Sequence, residues 1–145
     1  MNVKVIDYGY ERLPFRAHAN DAGADVHAHI KGCEGQSGQI TIAPQTTAKI
    51  PLGMGLILPD GYMACVYPRS GLSSKGIVCE LPPIDSGYRG EIHAIVTNCS
   101  HKPFTVNDGD RVGQLVITPV VIANFITENE DFEERGSGAF GSTGM

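Results

Sequence analysis

Short apolar runs alternate with polar positions along this chain, and glycine or proline interrupts them about every ten residues. Apolar spacing at i, i+3 and i+4, the sign of an amphipathic helix, is almost absent. This pattern is typical of an all-β sandwich or barrel. It predicts strands at Val3–Ile6, Asp25–His29, Gln39–Ile42, Thr46–Pro51, Gly53–Leu58, Tyr62–Tyr67, Ile77–Cys79, Glu91–Thr97, Phe104–Val106, Arg111–Pro119 and Val121–Ile126.

Turn-forming residues separate these runs, as in Pro59-Asp60-Gly61 and Asn107-Asp108-Gly109. The one helix that the sequence indicates is a turn or two after Ser70, through Leu72–Lys75. An all-β chain must protect its strand edges, and closure into a barrel-like jelly roll or assembly with other chains does so. The apolar stretch Val116–Val121 also suggests a subunit contact.

Composition narrows the class of protein. The chain has 145 residues, 41% hydrophobic and 19% charged, which fits one folded domain over residues 1–127 and a C-terminal arm over residues 128–145. The formal net charge of −5 argues against a polymeric nucleic-acid partner. No run is long enough to span a membrane, and the first residues do not resemble a signal peptide, so we expect a cytoplasmic location.

Cysteine usage agrees with a reducing compartment. The four cysteines are Cys33, Cys65, Cys79 and Cys99, and none forms a CxxC pair. A zinc site is therefore not expected, and the residues are interpreted as ordinary reduced thiols.

Two segments have the composition of an anion or metal site. In the first, small residues surround Asp25 at a strand entrance, where a carboxylate could contact the water around a hard cation or simply belong to a turn. In the second, Arg69-Ser70-Gly71 follows Pro68 and opens a short helical turn. Unpaired N–H groups, a guanidinium and a hydroxyl favour phosphate binding there, and the alternative is an ordinary helix cap by Ser70.

Two further segments suggest catalysis and substrate positioning. A hairpin presents Asp85 and Tyr88, and a carboxylate near a water beside a polyphosphate can act as a general base. The alternative is a β-turn with a surface Asp. On the strand after Gly109, Gln114 can donate to a phosphate oxygen, whereas Arg111 is equally well interpreted as a structural ion-pair partner.

The chain ends in a glycine-rich segment, Arg135–Met145, that follows the acidic hinge Glu128–Glu134. It cannot bury enough apolar surface to fold alone. An Arg fork, hydroxyls and bare glycine backbone can nevertheless close over a phosphate chain, and Phe140 can cover a flat base. By composition alone, a flexible tail is the alternative.

Together these five segments, in this order and across nearly the whole chain, resemble the motifs of the homotrimeric deoxyuridine triphosphate nucleotidohydrolases (dUTPases). The matching segments are Ala22–Val26, Pro68–Leu72, Ile84–Glu91, Gly109–Leu115 and Arg135–Gly144. The resemblance implies a distorted jelly-roll homotrimer, with a C-terminal arm, that hydrolyses dUTP to dUMP and pyrophosphate. Each active site would take residues from all chains of the trimer.

The resemblance also implies a role for each matching residue. Asp85 would activate the water that attacks the α-phosphorus, and Tyr88 would pack under the deoxyribose and exclude a 2′-OH. Asp25 would reach Mg²⁺ through water, with the metal held mainly by substrate phosphates. The other expected substrate contacts are Arg69, Ser70, Gly71 and Gln114 on the phosphates; Cys79, Pro83 and Ile84 in the uracil-reading hairpin; and Arg135, Phe140, Gly141, Ser142 and Thr143 in the closing arm.

The chain departs from the family pattern in the hairpin. Pro82 and Pro83 stand where glycine is usual, and neither has an N–H to offer the uracil. In the arm, Ala139 replaces a common glycine.

Two other functions compete with this interpretation. A dCTP deaminase-like enzyme shares the fold, but its family uses a Glu at the position of Ile95, which cannot transfer a proton. A regulatory protein that senses dUTP would keep the same binding residues. A purely structural β-protein would leave the five motifs unexplained.

Overall fold

The computed structural model describes residues 1–36 and 38–129. This part of the chain confirms the expected all-β class, with ten strands and one short helix. The elements are β1 Lys4–Asp7, β2 Ala24–His27, β3 Gln39–Ile42, β4 Thr46–Pro51, β5 Met54–Ile57, β6 Tyr62–Tyr67, α1 Ser70–Ser73, β7 Ile77–Glu80, β8 His93–Asn98, β9 Phe104–Asn107 and β10 Arg111–Pro119. None of the helices in these residues is long and apolar enough to cross a membrane.

The strands form small antiparallel sheets that wrap around one core. Their orders are β1-β5, β2-β10-β6, β3-β9 and β4-β8-β7. Most pairings join distant parts of the chain, as when β2 pairs with β10 and β1 with β5. This wrapping is the distorted jelly-roll barrel expected from the sequence.

Strand alternation explains why the chain folds this way. Along β8, Ala94, Val96 and Asn98 are buried, while His93 and Ile95 face outward. Burying a large aliphatic side chain contributes about 1.5–3 kcal/mol. The most completely buried apolar side chains come from strands of all four sheets or the loops between them: Val26, Ile42, Ile50, Leu52, Met54 and Val106.

Turn residues and the alternation of apolar and polar positions predict the bounds of most elements to within a few residues. Four expected strands, β3, β4, β6 and β10, have the bounds that the sequence pattern indicates. The helix is shorter than expected: it ends at Ser73, and Gly76 follows with a φ of +84° that ordinary side chains rarely adopt.

The strand expected at Val121–Ile126 is wrong. The segment has no regular secondary structure, and its apolar side chains are exposed, with Val121 at 91% and Phe125 at 97%. An apolar run becomes a strand only when another strand completes its hydrogen bonds. The last backbone bond at the start of this segment is the one that Val120 N–H donates to Gly61 O, at 2.8 Å.

Candidate functional site

The sheet β2-β10-β6 gathers three of the sequence segments that were expected to act together. In the strand register, Gln114 of β10 lies between Asp25 of β2 and Tyr67 of β6. Its amide nitrogen Nε2 donates to Pro68 O at 3.1 Å, which fixes Gln114 against the turn that begins at Arg69. We call Asp25, Arg69, Ser70, Gly71 and Gln114 the Gln114 cluster.

Close packing at this point depends on Gly23. A Cβ on Gly23 would lie 2.8 Å from Gln114 Cβ and would overlap Gln114 Oε1. The missing side chain therefore makes room for Gln114.

The first backbone N–H groups of the turn after β6 are available to a ligand. Arg69 is the residue that caps α1, and its side chain makes no capping hydrogen bond. The helical backbone bonds begin with Leu72 N–H donating to Arg69 O at 3.0 Å. Apart from the helix backbone and the two adjacent residues, no atom of residues 1–36 and 38–129 lies within 4 Å of a Cβ built on Gly71. The alternative interpretation of Ser70 as an ordinary cap is thus wrong, because the capping position belongs to Arg69.

Asp25 is held by an ion pair. Arg111 Nη1 donates to Asp25 Oδ2 at 3.0 Å, which confirms the structural interpretation of Arg111. The two side chains are 50% and 24% exposed, so the pair contributes little to stability, and its effect is to orient the carboxylate. No group of three His, Cys, Asp or Glu residues in the described chain could hold a metal ion by itself.

Positive charge surrounds His27 beside this carboxylate. His27 lies opposite Arg111 in the register, and Arg12 Nη1 is 3.5 Å from its Nε2. Burial, followed by the charge on Arg12, lowers the pKa of His27 from its ordinary value of 6.5. Its Nδ1 is buried and has no hydrogen-bond partner in residues 1–36 and 38–129. A cavity of about 510 Å³ opens here, lined in part by Arg12, Asp25, His27 and Arg111.

A second cavity, of about 250 Å³, contains the hairpin residues. Pro83, Ile84, Asp85 and Tyr88 line it, as the sequence interpretation requires if these residues hold one ligand. We call it the hairpin pocket. Ile84 pairs with Ala64 through two backbone hydrogen bonds of 2.7 and 3.1 Å, which anchors the start of the segment that carries Asp85.

Tyr88 has a defined orientation in the hairpin pocket. Its hydroxyl donates to Glu91 O at 2.9 Å, and its ring packs over Gly90, where an added Cβ would lie 2.7 Å from Tyr88 Cζ. The Asp85 carboxylate accepts no hydrogen bond from the described residues and is free to bind a ligand or a water.

Cys79 does not line this pocket. Its thiol is directed inward and donates to Val112 O at 3.9 Å. Burial, with a smaller contribution from the charge on Glu80, raises the pKa of Cys79 to about 11, so the thiol stays protonated. A substrate contact from Cys79 therefore has to come from its backbone, and it stays a prediction.

The sequence interpretation missed three polar side chains that line the hairpin pocket: Lys49, Glu80 and His93. They reach it because β4, β8 and β7 are neighbours in one sheet. No local motif marks them, and only the strand pairing does. The expected arm residues Arg135, Phe140, Gly141, Ser142 and Thr143 lie outside the described residues.

Two members of the Gln114 cluster line cavities other than the hairpin pocket. Arg69 lines one such cavity and Asp25 another, and neither cavity shares a lining residue with the hairpin pocket, which contains Asp85 and Tyr88. In one chain, Arg69 and Asp25 therefore lie outside the cavity that holds Asp85.

Comparison with known proteins identifies the family. The sequence model of the dUTPase family matches residues 10–144. A deoxyuridine 5′-triphosphate nucleotidohydrolase of Gloeobacter violaceus is 42% identical over 136 residues, covering 91% of this chain and 88% of the relative. One of Maricaulis maris is 39% identical over 150 residues, covering 99% and 95%. The chain belongs to the dUTPase family.

Solved structures agree with this assignment. A single-residue variant of the Staphylococcus bacteriophage 80alpha dUTPase, solved with dUpNHpp, has a TM-score of 0.82, 26% identity and 99% coverage of both chains. A variant dUTPase of phage phi11 of S. aureus, described with a structural Mg(II) ion, has a TM-score of 0.78 and 25% identity, covering 90% of this chain and 98% of its own.

Proposed function

We propose that this protein is a dUTP diphosphatase that hydrolyses dUTP to dUMP and pyrophosphate. Such an activity limits uracil in DNA and supplies dUMP for dTMP synthesis. The observation that carries the proposal is the hairpin pocket, in which an unbonded Asp85 carboxylate and a fixed Tyr88 ring line one cavity.

Asp85 is the base in this proposal. Its carboxylate takes a proton from a water, and the water oxygen bonds to the α-phosphorus. The bond from the α-phosphorus to the bridging oxygen breaks, and pyrophosphate leaves with that electron pair. General-base catalysis of this kind contributes about 10²–10⁴-fold to the rate.

Tyr88 sets sugar specificity. The hydrogen bond to Glu91 O and the contact with Gly90 fix the Tyr88 ring, which packs under the deoxyribose and does not move aside. A 2′-OH would clash with the ring, so UTP would be excluded.

The Gln114 cluster binds the triphosphate of the substrate. Arg69 supplies a charged fork, Ser70 and Gly71 supply backbone and hydroxyl donors, and Gln114 supplies a neutral amide. The arm, residues 128–145, closes over the substrate: Arg135 binds the γ-phosphate, Phe140 stacks on uracil, and Gly141, Ser142 and Thr143 complete the lid. Residues 1–127 form the barrel domain.

A shared site in a homotrimer is part of this proposal. Because Arg69 and Asp25 line cavities other than the hairpin pocket, we infer that a complete site combines the hairpin of one subunit with the Gln114 cluster of another. Exposed apolar side chains of Val121 and Phe125 are also available for subunit contacts. The partner in this proposal is a copy of the same chain, and the ligand is dUTP.

Mg²⁺ fits the donors present. Asp25 is a single carboxylate held in place by Arg111, which suits a contact through water to a metal held mainly by the substrate phosphates. When bound, Mg²⁺ would neutralise phosphate charge. The four cysteines are free thiols, which agrees with the proposed cytoplasmic location.

A pyrophosphate-release assay tests the function. With Mg²⁺, dUTP should be turned over at a kcat/KM far above the values for dCTP, dTTP and UTP. Ammonia released from dCTP would instead support the deaminase-like alternative, against which Ile95 in the pocket argues because its side chain cannot transfer protons. Binding of dUTP with no turnover would support the sensor alternative.

Mixing two inactive variants tests the shared site. Asp85→Asn and Arg69→Ala chains would each be inactive alone, because one lacks the base and the other lacks a phosphate ligand. After the two variants are denatured and refolded together, mixed trimers should regain activity. Some of their sites combine the intact hairpin of one chain with the intact Gln114 cluster of another. If trimers form but the mixture has no activity, the hairpin and the Gln114 cluster of one site belong to the same chain.

A further inference from the structure

Tyr8 follows β1 and contacts the hairpin segment from outside all five motif segments. Its hydroxyl donates a hydrogen bond to Arg89 O at 2.7 Å, a well-formed length for a bond between two oxygens. Its backbone N–H donates to Gly53 O at 2.9 Å, in the turn between β4 and β5. Tyr8 therefore joins a strand connection of the barrel to the backbone of the segment that carries Asp85.

Gly55 of β5 gives this contact its room. A Cβ on Gly55 would lie 2.8 Å from Gly90 O and 3.2 Å from Arg89 O. It would also lie 3.1 Å from Tyr8 Cε2. Gly55 does not have a positive φ, so close packing and not backbone conformation requires glycine at this position. The Tyr8 ring and the backbone of Arg89 and Gly90 thus pack directly on the backbone of β5.

Arg89 connects this contact to the turn that carries the proposed base. Its Nη1 donates to Ser86 O at 2.6 Å and to Tyr88 O at 3.2 Å. The turn is closed by Tyr88 N–H, which donates to Asp85 O at 3.1 Å. The side chain of Arg89 therefore holds the turn, and the carbonyl oxygen of the same residue is held by Tyr8.

The Tyr88 ring rests on the same backbone. A Cβ on Gly90 would lie 2.7 Å from Tyr88 Cζ, and the Tyr88 hydroxyl donates to Glu91 O at 2.9 Å. A displacement of this backbone would therefore move Tyr88 together with Asp85. Among residues 1–36 and 38–129, no side chain other than Tyr8 bonds to the backbone of Arg89 or Gly90.

We propose that Tyr8 is a positioning residue for the hydrolysis of dUTP. Its hydroxyl fixes the Arg89–Gly90 backbone against β5, and this backbone sets where Asp85 and Tyr88 stand relative to the substrate. Tyr8 does not line the hairpin pocket, so it acts only through the hairpin segment. The inference rests on the proposed function, because that function assigns the base to Asp85 and the sugar contact to Tyr88.

Tyr8→Phe tests the proposal because it removes only the hydroxyl. The loss of one hydrogen bond of this kind corresponds to a roughly twofold to tenfold change, and we expect kcat for dUTP to fall by that factor. The Kd for a non-hydrolysable dUTP analogue should stay close to wild type. The ratio of kcat/KM for dUTP to that for UTP should also fall roughly twofold to tenfold, because the Tyr88 ring can then move away from a 2′-OH.

Tyr10→Phe is the matched control. Tyr10 N–H donates to the same Gly53 O, at 3.0 Å, but the Tyr10 hydroxyl makes no hydrogen bond within residues 1–36 and 38–129. This variant should leave kcat and the ratio of dUTP to UTP unchanged. Gly55→Ala disturbs the same contact from the side of β5, because its Cβ would press on Gly90 O, and it should lower the ratio as Tyr8→Phe does.

Hydrogen exchange provides a readout that does not depend on turnover. The Tyr88 amide is donated to Asp85 O, so its exchange reports how firmly the turn is held. Tyr8→Phe should accelerate exchange at the Tyr88 amide and leave the amides of the β3-β9 sheet unchanged. Tyr10→Phe should change neither.

The outcomes separate this inference from the proposed function. If the wild-type chain is active and Tyr8→Phe keeps its kcat, its ratio and its exchange at Tyr88, the inference is overturned. It is also overturned if kcat falls only as the free energy of unfolding falls, with the ratio and the exchange unchanged, since the role is then purely structural. A wild-type chain that does not turn over dUTP defeats the proposed function, and exchange at Tyr88 then decides whether Tyr8 positions the segment.

Discussion

Gly23→Ala should weaken catalysis through a residue on another strand. The new Cβ would lie 2.8 Å from Gln114 Cβ and overlap Gln114 Oε1, so the two backbones must move apart and the Gln114 amide must rotate away, which breaks the 3.1 Å bond to Pro68 O. Gly23 does not have a positive φ, so alanine itself fits the backbone. Only the packing against Gln114 is disturbed.

The expected effect on stability is a loss. Breaking one neutral hydrogen bond costs about 1 kcal/mol, and replacing glycine by alanine returns about 0.4–1 kcal/mol by restricting the unfolded chain, so these two terms nearly cancel. The Cβ–Cβ overlap remains, and the free energy of unfolding should fall by about 1–3 kcal/mol, the scale of an overpacked contact. Because Gln114 is a proposed phosphate donor, we also expect kcat/KM for dUTP to fall by roughly tenfold to hundredfold, or about 1.4–2.7 kcal/mol.

A double-mutant cycle distinguishes this mechanism from a general disturbance. The single variants Gly23→Ala and Gln114→Gly and the double variant are compared by pyrophosphate release and by urea unfolding. Glycine at position 114 has neither the amide nor the Cβ, so if Gly23→Ala acts by displacing Gln114, it should have almost no further effect on kcat/KM in that background. Fully additive losses would refute the reasoning and would indicate damage to the β2-β10 pairing.

Two further predictions concern the proposed base Asp85 and the half-buried His27. Asp85→Asn should lower kcat by about 10²–10⁴-fold while the Kd for a non-hydrolysable dUTP analogue stays close to wild type, since no described residue bonds to the carboxylate; near-normal pyrophosphate release would contradict the assignment. The pKa of His27 lies below 6.5 in the folded chain, so as pH falls through 6.5 the unfolded chain takes up the proton first and stability declines. His27→Gln should flatten that decline in urea unfolding measured well above and well below pH 6.5, and an identical slope in both proteins would show that another group causes it.

Most of the fold can be predicted from the sequence because turn residues and the alternation of apolar and polar positions determine where strands begin and end. The strand Tyr62–Tyr67 ends before Pro68, and Gly109 with a φ of +85° turns the chain into Arg111–Pro119, so both could be located from turn chemistry and alternation. Val121–Ile126 has the same apolar character but no strand beside it among the described residues. Strand formation depends on a partner, and a single sequence does not reveal which segments become neighbours.

The same limit applies to the site. Asp25, Arg69 and Gln114 could be grouped because each lies in a recognisable segment, although the bond from Gln114 to Pro68 O comes from strand register. Lys49 and Glu80 lie in segments with no motif, and they reach one pocket only because β8 separates their strands. Register couples residues far apart in sequence, which composition and spacing do not report.

The segment that carries Asp85 is fixed mostly by its own motif residues. Arg89 Nη1 donates to Ser86 O at 2.6 Å, and Arg89 O accepts the Tyr8 hydroxyl at 2.7 Å. Glu91 Oε2 accepts Gly53 N–H at 2.9 Å, so this second acidic side chain is already engaged. Arg89 and Glu91 therefore hold the loop and leave the Asp85 carboxylate without a hydrogen bond from the described residues. The backbone that carries the proposed base is thus positioned by bonds that exist without substrate, and only the Asp85 side chain has to orient before it acts.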